Sequence, residues 1–356
     1  MGDFHQFGQI TTLHDFGTRK PGDIEKELEE FSTRRPISLV LPSLFSELEG
    51  TALKNIVTEL KTVRYLKKIV IGLDAANKDN FEFAKRYFSD LPQRHTILWH
   101  DGPRLTAIDK ELRGHGLSPP EPGKGRNVWF CFGYLLATRD TDAVALHDCD
   151  IVTYRKEMLS RLLYPVANPL FPYVFSKGYY PRIHQSKLGG RVTRLLITPL
   201  VSALQKICGP NDYLSFLESF RYPLAGEFSM RTHLLPDLRI PSDWGLEIGV
   251  LSEVRRNYNA HSMAQVEIAD TYDHKHQDIS LDNQKKGLNR MSMDISKAIF
   301  RKLATDGEVF SIEKFRTLKA TYYREALDKI DSFYNDAAMN GLKIDRHSEE
   351  AAVELF

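Results

Sequence analysis

Two aspartates separated by a single residue follow an apolar run that is typical of a buried strand. They are Asp148 and Asp150, in the stretch "AVALHDCDIVTY" that spans residues 143–154. In a strand, side chains two positions apart point to the same face, so both carboxylates are expected to converge while Cys149 points away. Carboxylates paired in this way can bind a hard divalent cation such as Mg²⁺. An exposed turn with two helix-capping acids is the alternative, and the motif alone does not exclude it.

A lysine between two glycines lies upstream of this pair. In Gly123-Lys124-Gly125 the glycines permit a close approach of the backbone, and the lysine can neutralise a phosphate. The spacing is not that of a P-loop, which requires G-x-x-x-x-G-K-[ST]. A surface loop would explain the same residues, so this motif needs support from its surroundings.

A basic stretch, "SKGYYPRIHQSKLGGRVTRLL" (176–196), contains a Gly-Gly pair at the expected start of a helix. Its cations are Lys177, Arg182, Lys187, Arg191 and Arg194. Free N–H groups at a helix start, the positive end of the helix dipole and nearby arginines together make an anion site. Because Gly189-Gly190 directly precedes Arg191 and Thr193, the pattern favours an anion site over a solvated basic face.

Two further segments carry residues that suit a sugar or a metal ion. In "PSDWGLEIGVL" (241–251), Glu247 lies in an apolar, helix-starting segment beside Trp244, and an acid next to an aromatic ring suits the binding of hydroxyl groups. In "DTYDHKHQD" (270–278), His274 and His276 alternate, and one imidazole could complete a metal site. The alternatives are a capping or surface role for Glu247 and two exposed histidines.

Four short apolar runs predict the strands that would position these residues: 37–42, 67–74, 95–101 and 142–148. Helices are expected between them at Thr51–Val63, Asn80–Ser89 and Asn127–Thr138, with a Gly- and Pro-rich loop over 114–127. This alternation predicts an α/β fold with a mainly parallel central sheet flanked by helices. In such sheets ligands bind beyond the carboxyl ends of the strands, which is where the two aspartates fall.

The chain is predicted to have three parts. Residues 1–35 form an N-terminal arm with a helix at Asp23–Arg34, and residues 36–280 form the catalytic domain, which includes a further strand over 172–180. Residues 281–356 form a helical extension with one long amphipathic helix over 313–339. The extension carries no evident chemistry and is expected to pack on its own domain or to form a dimer interface.

Composition excludes several classes of protein. The chain has 356 residues and a net charge of +1, which gives no general reason to expect nucleic acid or an anionic membrane as a partner. No apolar run approaches the length of a membrane span, and the N-terminus lacks the pattern of a signal peptide. Cys131, Cys149 and Cys208 are too widely spaced to predict a disulfide framework or a zinc knuckle. These features predict a soluble cytoplasmic protein.

The order of the motifs is more specific than any of them alone. "LPSLFSE" (41–47), then G-K-G, "DCD", "GGRVT" (189–193), "WGLEIG" (244–249) and a late histidine resemble the retaining glucosyl-3-phosphoglycerate synthases. These are nucleotide-sugar glycosyltransferases of the GT-A fold, closely related to the mannosyl-3-phosphoglycerate synthases. The resemblance covers about residues 36–280 and implies transfer of glucose from UDP-glucose to 3-phosphoglycerate by a homodimer. GDP-mannose as donor, or glycerate as acceptor, remains an alternative.

The resemblance also implies a role for each matching residue. On the donor side, contacts with the nucleotide sugar are implied for Pro42, Ser43, Leu44, Glu47, Asp74, Lys124, Asp148 and Trp244. Asp74 would lie near the uridine and Lys124 near the diphosphate, and Trp244 and Glu247 would contact the sugar. Glu247 and Asp150 are the implied catalytic residues.

A metal site and an acceptor site are implied as well. Asp148, Asp150 and His274 would hold Mg²⁺ or Mn²⁺, and Gly190, Arg191 and Thr193 would hold the phosphate and carboxylate of the acceptor. The chain departs from the family pattern at three positions. Its acid in the first motif is displaced to Glu47, Arg194 replaces a frequent acid and adds positive charge beside the acceptor, and His276 replaces an expected asparagine.

Two other functions remain open from the residues. "DCDIV" matches the D-x-D-x-[TV] motif of haloacid-dehalogenase-type phosphatases, in which the first aspartate is a nucleophile. That chemistry needs a later acid pair such as D-D or G-D-x-x-x-D, and neither motif follows residue 150. A non-catalytic nucleotide-sugar binder is the other alternative, which the presence of donor, metal and acceptor motifs makes less favourable.

Overall fold

The computed structural model describes residues 6, 8–184, 186–274 and 287–356. Within these residues the strands are β1 (Thr11–Leu13), β2 (Ile37–Leu44), β3 (Leu66–Asp74), β4 (Arg94–Trp99), β5 (Ala143–Leu146), β6 (Phe175–Tyr179), β7 (Ile183–His184), β8 (Lys187–Leu188), β9 (Phe228–Arg231) and β10 (Met263–Glu267). All of them except the small β7–β8 hairpin form one eight-stranded sheet.

Helices surround this sheet. The α-helices of the described part are α1 (Pro21–Arg34), α2 (Thr51–Leu60), α3 (Lys78–Phe88), α4 (Pro103–Gly114), α5 (Lys124–Thr138), α6 (Lys156–Ala167), α7 (Thr198–Cys208), α8 (Asp212–Glu218), α9 (Leu246–Asn257), α10 (Gly287–Thr305), α11 (Ile312–Met339) and α12 (Arg346–Leu355). A π-helical turn, Val192–Ile197, leads directly into α7. None of these helices is long and apolar enough to cross a membrane.

The sheet is parallel except at one strand. Its spatial order is β1-β10-β6-β9-β5-β2-β3-β4, and only β9 runs antiparallel to its neighbours β5 and β6. The carboxyl ends of the other seven strands therefore share one edge with the amino end of β9. This arrangement confirms the mainly parallel α/β sheet predicted from the sequence.

Alternating residues of the strands bury two hydrophobic cores, one on each face of the sheet. Val40 and Val144 contribute to the core under α5 and α7 to α10, whereas Leu39 and Ala145 contribute to the core under α1, α2, α3 and α6. Side chains alternate between the two faces of a strand, and here both the odd and the even positions are apolar. The sheet is therefore covered by helices on both faces. The sheet edge is thereby held rigidly from both sides.

Two local predictions were wrong. A loop was predicted over 114–127, but α4 ends at Gly114 and α5 already begins at Lys124, so the loop is shorter and Lys124 opens a helix. The helix α4 was missed because "PRLTAIDKELRG" is mostly polar and shows little apolar periodicity. The strand β5 ends at Leu146, so Asp148 and Asp150 lie beyond the strand rather than in it.

The termini join the central fold. Strand β1 pairs in parallel with β10, so the N-terminal arm extends the sheet. The predicted long helix over 313–339 is confirmed as α11, and α11 and α12 pack on the π-helical turn through a small core of Leu195, Ala326, Ile330, Ala352 and Val353. The division of the chain at residues 35 and 280 stays a prediction.

Candidate active site

Lys124 lies at the centre of a charged cluster at the carboxyl edge of the sheet. Its Nζ is 2.6 Å from Asp148 Oδ1 and donates to Glu247 Oε1 at 3.0 Å. A lysine in the first turn of a helix is unfavourable for the helix dipole, and these two acids compensate for it. Burial lowers the pKa of Lys124, but the two carboxylates outweigh burial and raise it above its usual value. The predicted G-K-G motif, the first aspartate and Glu247 are therefore one site.

The two aspartates converge even though they do not lie in a strand. Burial and the neighbouring charge of Asp148 raise the pKa of Asp150 to about 7, while Lys124 outweighs burial and lowers the pKa of Asp148. His274 forms an isolated antiparallel bridge with Ile151, and its Nδ1 is 3.8 Å from Asp150 Oδ2. Cys149 points into the core as predicted and is 3% exposed. His276 lies outside the described residues.

These residues suit a hard divalent cation chemically. Acids outnumber lysines in the cluster, whose charged members are Glu47, Asp148, Asp150, Glu227, Glu247, Lys124 and Lys177. Such mutual repulsion is relieved by a cation bound through carboxylate oxygens. In the described part of the chain, no three His, Cys, Asp or Glu side chains already have the spacing of ligands to one metal. Lys124 is instead the cation that pairs with Asp148, through Oδ1.

Sequence analysis missed a fifth acid of the cluster, Glu227. It is fully buried and lies at the edge because it precedes the antiparallel strand β9. Gly226 beside it is required, since a Cβ there would overlap the carboxylate of Asp148. A lone acid between Gly226 and an apolar strand is the signal that could have identified it. Finding its place required knowing that β9 inserts in the reverse direction.

Lys177 differs from the other cations of the basic stretch. It lies on β6, is 1% exposed, and its Nζ donates to Ala225 O at 2.6 Å. Burial lowers the pKa of Lys177 to about 8, against the opposing charges of Glu247 and Glu227. Lys177 therefore lies beneath the acid cluster rather than on a basic surface with Arg191.

The predicted acceptor residues lie where the hairpin β7–β8 leads into the π-helical turn. Gly190 adopts a φ of +72°, a conformation that favours glycine, and the helix starts at Arg191. The side chain of Arg191 is 41% exposed. Thr193 is buried, and its Oγ1 has no hydrogen-bond partner among the described residues. A helix start, an exposed guanidinium and an unpaired hydroxyl are suitable donors for an anion.

The positive charge expected of Arg194 is neutralised by the C-terminal extension. Its Nη1 and Nη2 donate to Glu349 of α12 at 2.7 and 3.2 Å, and both side chains are buried. Glu349 also lies 3.4 Å from Arg191 Nε. Tyr322 of α11 donates to Leu195 O at 2.8 Å. The expectation that Arg194 adds positive charge beside the acceptor was wrong because Glu349 neutralises it, and the extension contacts the predicted acceptor segment directly.

The remaining donor-side residues follow neighbouring strands. Pro42, Ser43 and Leu44 end β2, with Ser43 buried and Leu44 exposed. Glu47 follows in a short 3₁₀ helix, close enough to raise the pKa of Asp150. Asp74 ends β3 and accepts a hydrogen bond of 2.8 Å from Asn127. Burial is the main cause that raises the pKa of Asp74. All of these lie at the same sheet edge as Asp148.

Trp244 lies in the turn directly before α9, next to Gly245. Its side chain is partly exposed, and Gly245 caps the helix that carries Glu247. Proximity in sequence thus brings the aromatic ring and the acid to the same helix start. The structure therefore assembles two groups of predicted residues, one around Lys124 and one around Arg191.

Similarity to known proteins agrees with this arrangement. The glucosyl-3-phosphoglycerate synthase of Persephonella marina is 48% identical over 356 residues, an alignment that covers 100% of this chain and 88% of that protein. The chain belongs to the glucosyl-3-phosphoglycerate synthase family. No protein-family model matches the chain. Members of the glucosyl-3-phosphoglycerate synthase family are glycosyltransferases, so the chain is an enzyme of this class.

Solved structures show the fold of the synthase family. The mannosyl-3-phosphoglycerate synthase of Rubrobacter xylanophilus aligns with a TM-score of 0.62 and 21% identity, covering 85% of this chain and 83% of that one. The Mycobacterium tuberculosis glucosyl-3-phosphoglycerate synthase, in complex with Mn²⁺, UDP-glucose and phosphoglyceric acid, aligns with a TM-score of 0.60 and 22% identity. That alignment covers 83% of this chain and 88% of the other. The GT-A fold predicted from the motifs is confirmed.

Proposed function

We propose that the enzyme transfers glucose from UDP-glucose to 3-phosphoglycerate with retention of configuration, giving glucosyl-3-phosphoglycerate. The observation that carries this proposal is the cluster in which Lys124 joins Asp148 to Glu247 at the sheet edge, close to Asp150. It supplies a cation for a diphosphate, acids for a metal and an acid for a sugar within one site. The 48% identical relative is named for the same product.

The metal ligands in this proposal are Asp148, Asp150 and His274. Carboxylate oxygens and an imidazole suit Mg²⁺ or Mn²⁺, and the related Mycobacterium tuberculosis structure contains Mn²⁺ with UDP-glucose. When bound, the cation would neutralise charge on the diphosphate leaving group. Lys124 would donate to the diphosphate as well, since its ammonium has three N–H groups and its carboxylate partners are Asp148 and Glu247.

The other donor-side roles follow from position. Pro42, Ser43, Leu44 and Glu47 border the nucleotide at the end of β2, and Asp74 lies on the uridine side at the end of β3. Trp244 and Glu247 contact the glucose from the start of α9, where Glu247 accepts hydrogen bonds from sugar hydroxyl groups. Fixing the sugar in this way supplies catalysis by orientation.

Gly190, Arg191 and Thr193 bind the acceptor. The backbone N–H of Gly190, the guanidinium of Arg191 and the hydroxyl of Thr193 donate to its phosphate and carboxylate. These contacts position the acceptor hydroxyl for attack. Their contribution is expected mainly in acceptor affinity.

Transfer proceeds on one face of the sugar. The bond from the anomeric carbon to the diphosphate oxygen breaks, a bond from that carbon to the acceptor oxygen forms, and the acceptor proton passes to the diphosphate. A double displacement would need a free carboxylate, whereas Glu247 is paired with Lys124 and Glu227 is fully buried. These two observations support the front-face route.

The proposal extends to assembly and location. A homodimer formed through the C-terminal extension is supported by exposed apolar side chains at the junction of α10 and α11, namely Val309, Ile312 and Phe315. A cytoplasmic location is supported by the three cysteines, all of which are free thiols.

Product analysis tests the activity. The protein is incubated with UDP-glucose or GDP-mannose, Mg²⁺ or Mn²⁺, and 3-phosphoglycerate or glycerate, and products are identified by mass and by the configuration of the new bond. A retained glucoside of 3-phosphoglycerate, formed only with UDP-glucose, is expected. Product from GDP-mannose alone would instead support a mannosyl-3-phosphoglycerate synthase, and phosphate release without any glycoside would overturn the transferase.

A further inference from the structure

Glu227 connects the donor side of the site with the acceptor side. We propose that Glu227 is a positioning residue whose carboxylate fixes the segment that carries His274 against the segment that leads to Gly190. This inference rests on the proposed function, because it assigns the metal to the first segment and the acceptor to the second. It adds a residue outside every motif that the sequence indicated.

Each oxygen of the carboxylate accepts one tyrosine hydroxyl. Tyr180 donates to Oε2 at 2.5 Å, and Tyr272 donates to Oε1 at 2.8 Å. The two tyrosine rings stack with centroids 3.7 Å apart and an angle of 7° between their planes. All three side chains are buried, so neither tyrosine can exchange this bond for one with water. A buried carboxylate without such donors would be strongly unfavourable, and this one therefore holds both rings in place.

Tyr272 transmits this constraint to the metal side. It lies two residues before His274, and His274 in turn bridges Ile151 and lies close to Asp150. The backbone between Tyr272 and His274 is short, so a shift of the tyrosine ring displaces the imidazole. Glu227 therefore sets the distance between His274 and the two aspartates.

Tyr180 transmits the constraint from Glu227 to the acceptor side. It lies two residues before Arg182, whose carbonyl oxygen accepts from the N–H of Gly189 at 2.7 Å. Arg182 also forms an isolated parallel bridge with Tyr272, and its Nη1 donates to Tyr222 at 3.1 Å. The segment after Tyr180 and the segment of Tyr272 are thus joined both by the ring stack and by the bridge at Arg182. The buried carboxylate of Glu227 orders both segments.

Glu227 acts through these neighbours rather than on the substrate. It is 0% exposed, and both of its oxygens are engaged. The Cβ-free Gly226 is the residue that faces Asp148 and Lys124. A substrate atom has no approach to the carboxylate in this arrangement.

Removing one tyrosine hydroxyl at a time tests the connection to the metal side and the connection to the acceptor side separately. Tyr272→Phe is expected to weaken Mn²⁺ binding in the presence of UDP by about tenfold, as is common when a group behind a metal ligand is removed, with acceptor binding within twofold of the wild type. Tyr180→Phe is expected to weaken 3-phosphoglycerate binding by about fivefold while Mn²⁺ binding stays within twofold. Both affinities are measured by titration calorimetry, and both phenylalanines preserve the ring stack.

A third tyrosine provides the matched control. Tyr213 is as buried as Tyr272, and Tyr213→Phe loses a hydrogen bond to Ser252 Oγ without touching the group of Glu227, Tyr180 and Tyr272. Tyr213→Phe should lower the free energy of unfolding about as much as the other two variants do. It should leave the affinities for Mn²⁺ and for 3-phosphoglycerate unchanged. Glu227→Ala should weaken both affinities together, and if it does not fold, the two tyrosine variants still decide.

The outcomes separate the two proposals. Unchanged Mn²⁺ affinity in Tyr272→Phe together with unchanged acceptor affinity in Tyr180→Phe would overturn the positioning role. So would equal losses of both affinities in Tyr213→Phe, which would indicate general destabilisation. Failure of the wild type to form glucosyl-3-phosphoglycerate would overturn the proposed function instead, while direct Mn²⁺ binding still reports on the Tyr272 connection.

Discussion

The proposed donor side and the proposed acceptor side of this site are built by different parts of the chain. The acids and the lysine of the donor side follow strands β2, β3 and β5 or open helices that pack on the sheet. The acceptor segment Gly190–Thr193 lies between a two-stranded hairpin and a π-helical turn, outside the central sheet. Its support comes from α11 and α12 at the other end of the chain.

This difference separates two kinds of constraint. Strand ends are fixed by the two cores of the sheet, so the donor side is held by packing that the whole domain shares. The acceptor segment depends on a few specific bonds, chiefly those of Arg194 with Glu349 and of Tyr322 with Leu195. Changes on the donor side should therefore affect metal-dependent chemistry, and changes on the acceptor side should affect acceptor binding.

Asp150→Ala tests the donor side and should have the largest effect. If Asp150 binds the metal as proposed, its removal should lower kcat by at least about 10²–10³-fold, the loss typical of a group that stabilises developing charge. Turnover is measured against Mn²⁺ concentration with saturating UDP-glucose and 3-phosphoglycerate. The control is Asp142→Ala, an exposed acid at the opposite end of β5. Full activity in the Asp150 variant would end the metal assignment.

Arg191→Ala tests the acceptor side. Loss of one charge-assisted hydrogen bond should raise the KM for 3-phosphoglycerate by about 10-fold to 100-fold, with kcat and the KM for UDP-glucose little changed. The matched control is Arg324→Ala on α11, an exposed arginine that pairs with Asp328 one helical turn away. A similar rise in the KM for UDP-glucose would show that the two sides are not separately built.

Residues at strand ends were easier to place from the sequence than residues held by distant segments, for a physical reason. Apolar runs locate strand ends, and polar residues placed just after them, such as Asp148 and Asp74, are recognisable locally. Glu227 was not predicted because its position depends on the antiparallel direction of β9, which no local sequence pattern indicates. Glu349 escaped because its partner Arg194 is 155 residues away, and a charged residue on a surface-like helix predicts only solvation. The extension was judged to lack chemistry for the same reason.

Asp148 and Asp150 are close enough for the charge of Asp148 to raise the pKa of Asp150, but the strand predicted to align them was wrong. The strand ends before them, and the bridge between Ile151 and His274 together with the bond from Lys124 holds the pair instead. A pattern of spacing can thus identify a site whose geometry comes from distant segments. The same lesson applies to Lys124, which opens a helix rather than lying in a loop.

Glu349→Gln has the smallest expected effect on the comparison of the two sides, because it acts on the proposed acceptor segment through the arginines that Glu349 contacts. The amide keeps the size of the side chain but removes the charge that pairs with a buried guanidinium, so thermal stability should fall. Weaker ordering of the segment should raise the KM for 3-phosphoglycerate by about fivefold, equivalent to about 1 kcal/mol. Steady-state kinetics and a melting curve measure the two effects, with no expected change in the Mn²⁺ dependence.

The neighbouring Glu350 is the matched control for this change. Its carboxylate pairs with Arg346 at the surface, so Glu350→Gln should alter neither the melting temperature nor the KM for the acceptor. If Glu349→Gln lowers stability but leaves the acceptor KM at the wild-type value, α12 only stabilises the fold. If it also changes the Mn²⁺ dependence, the acceptor segment and the acid cluster are coupled more tightly than their separate supports indicate. The route for such coupling would be the stack of Tyr180 on Tyr272, since it joins the two segments beneath the site.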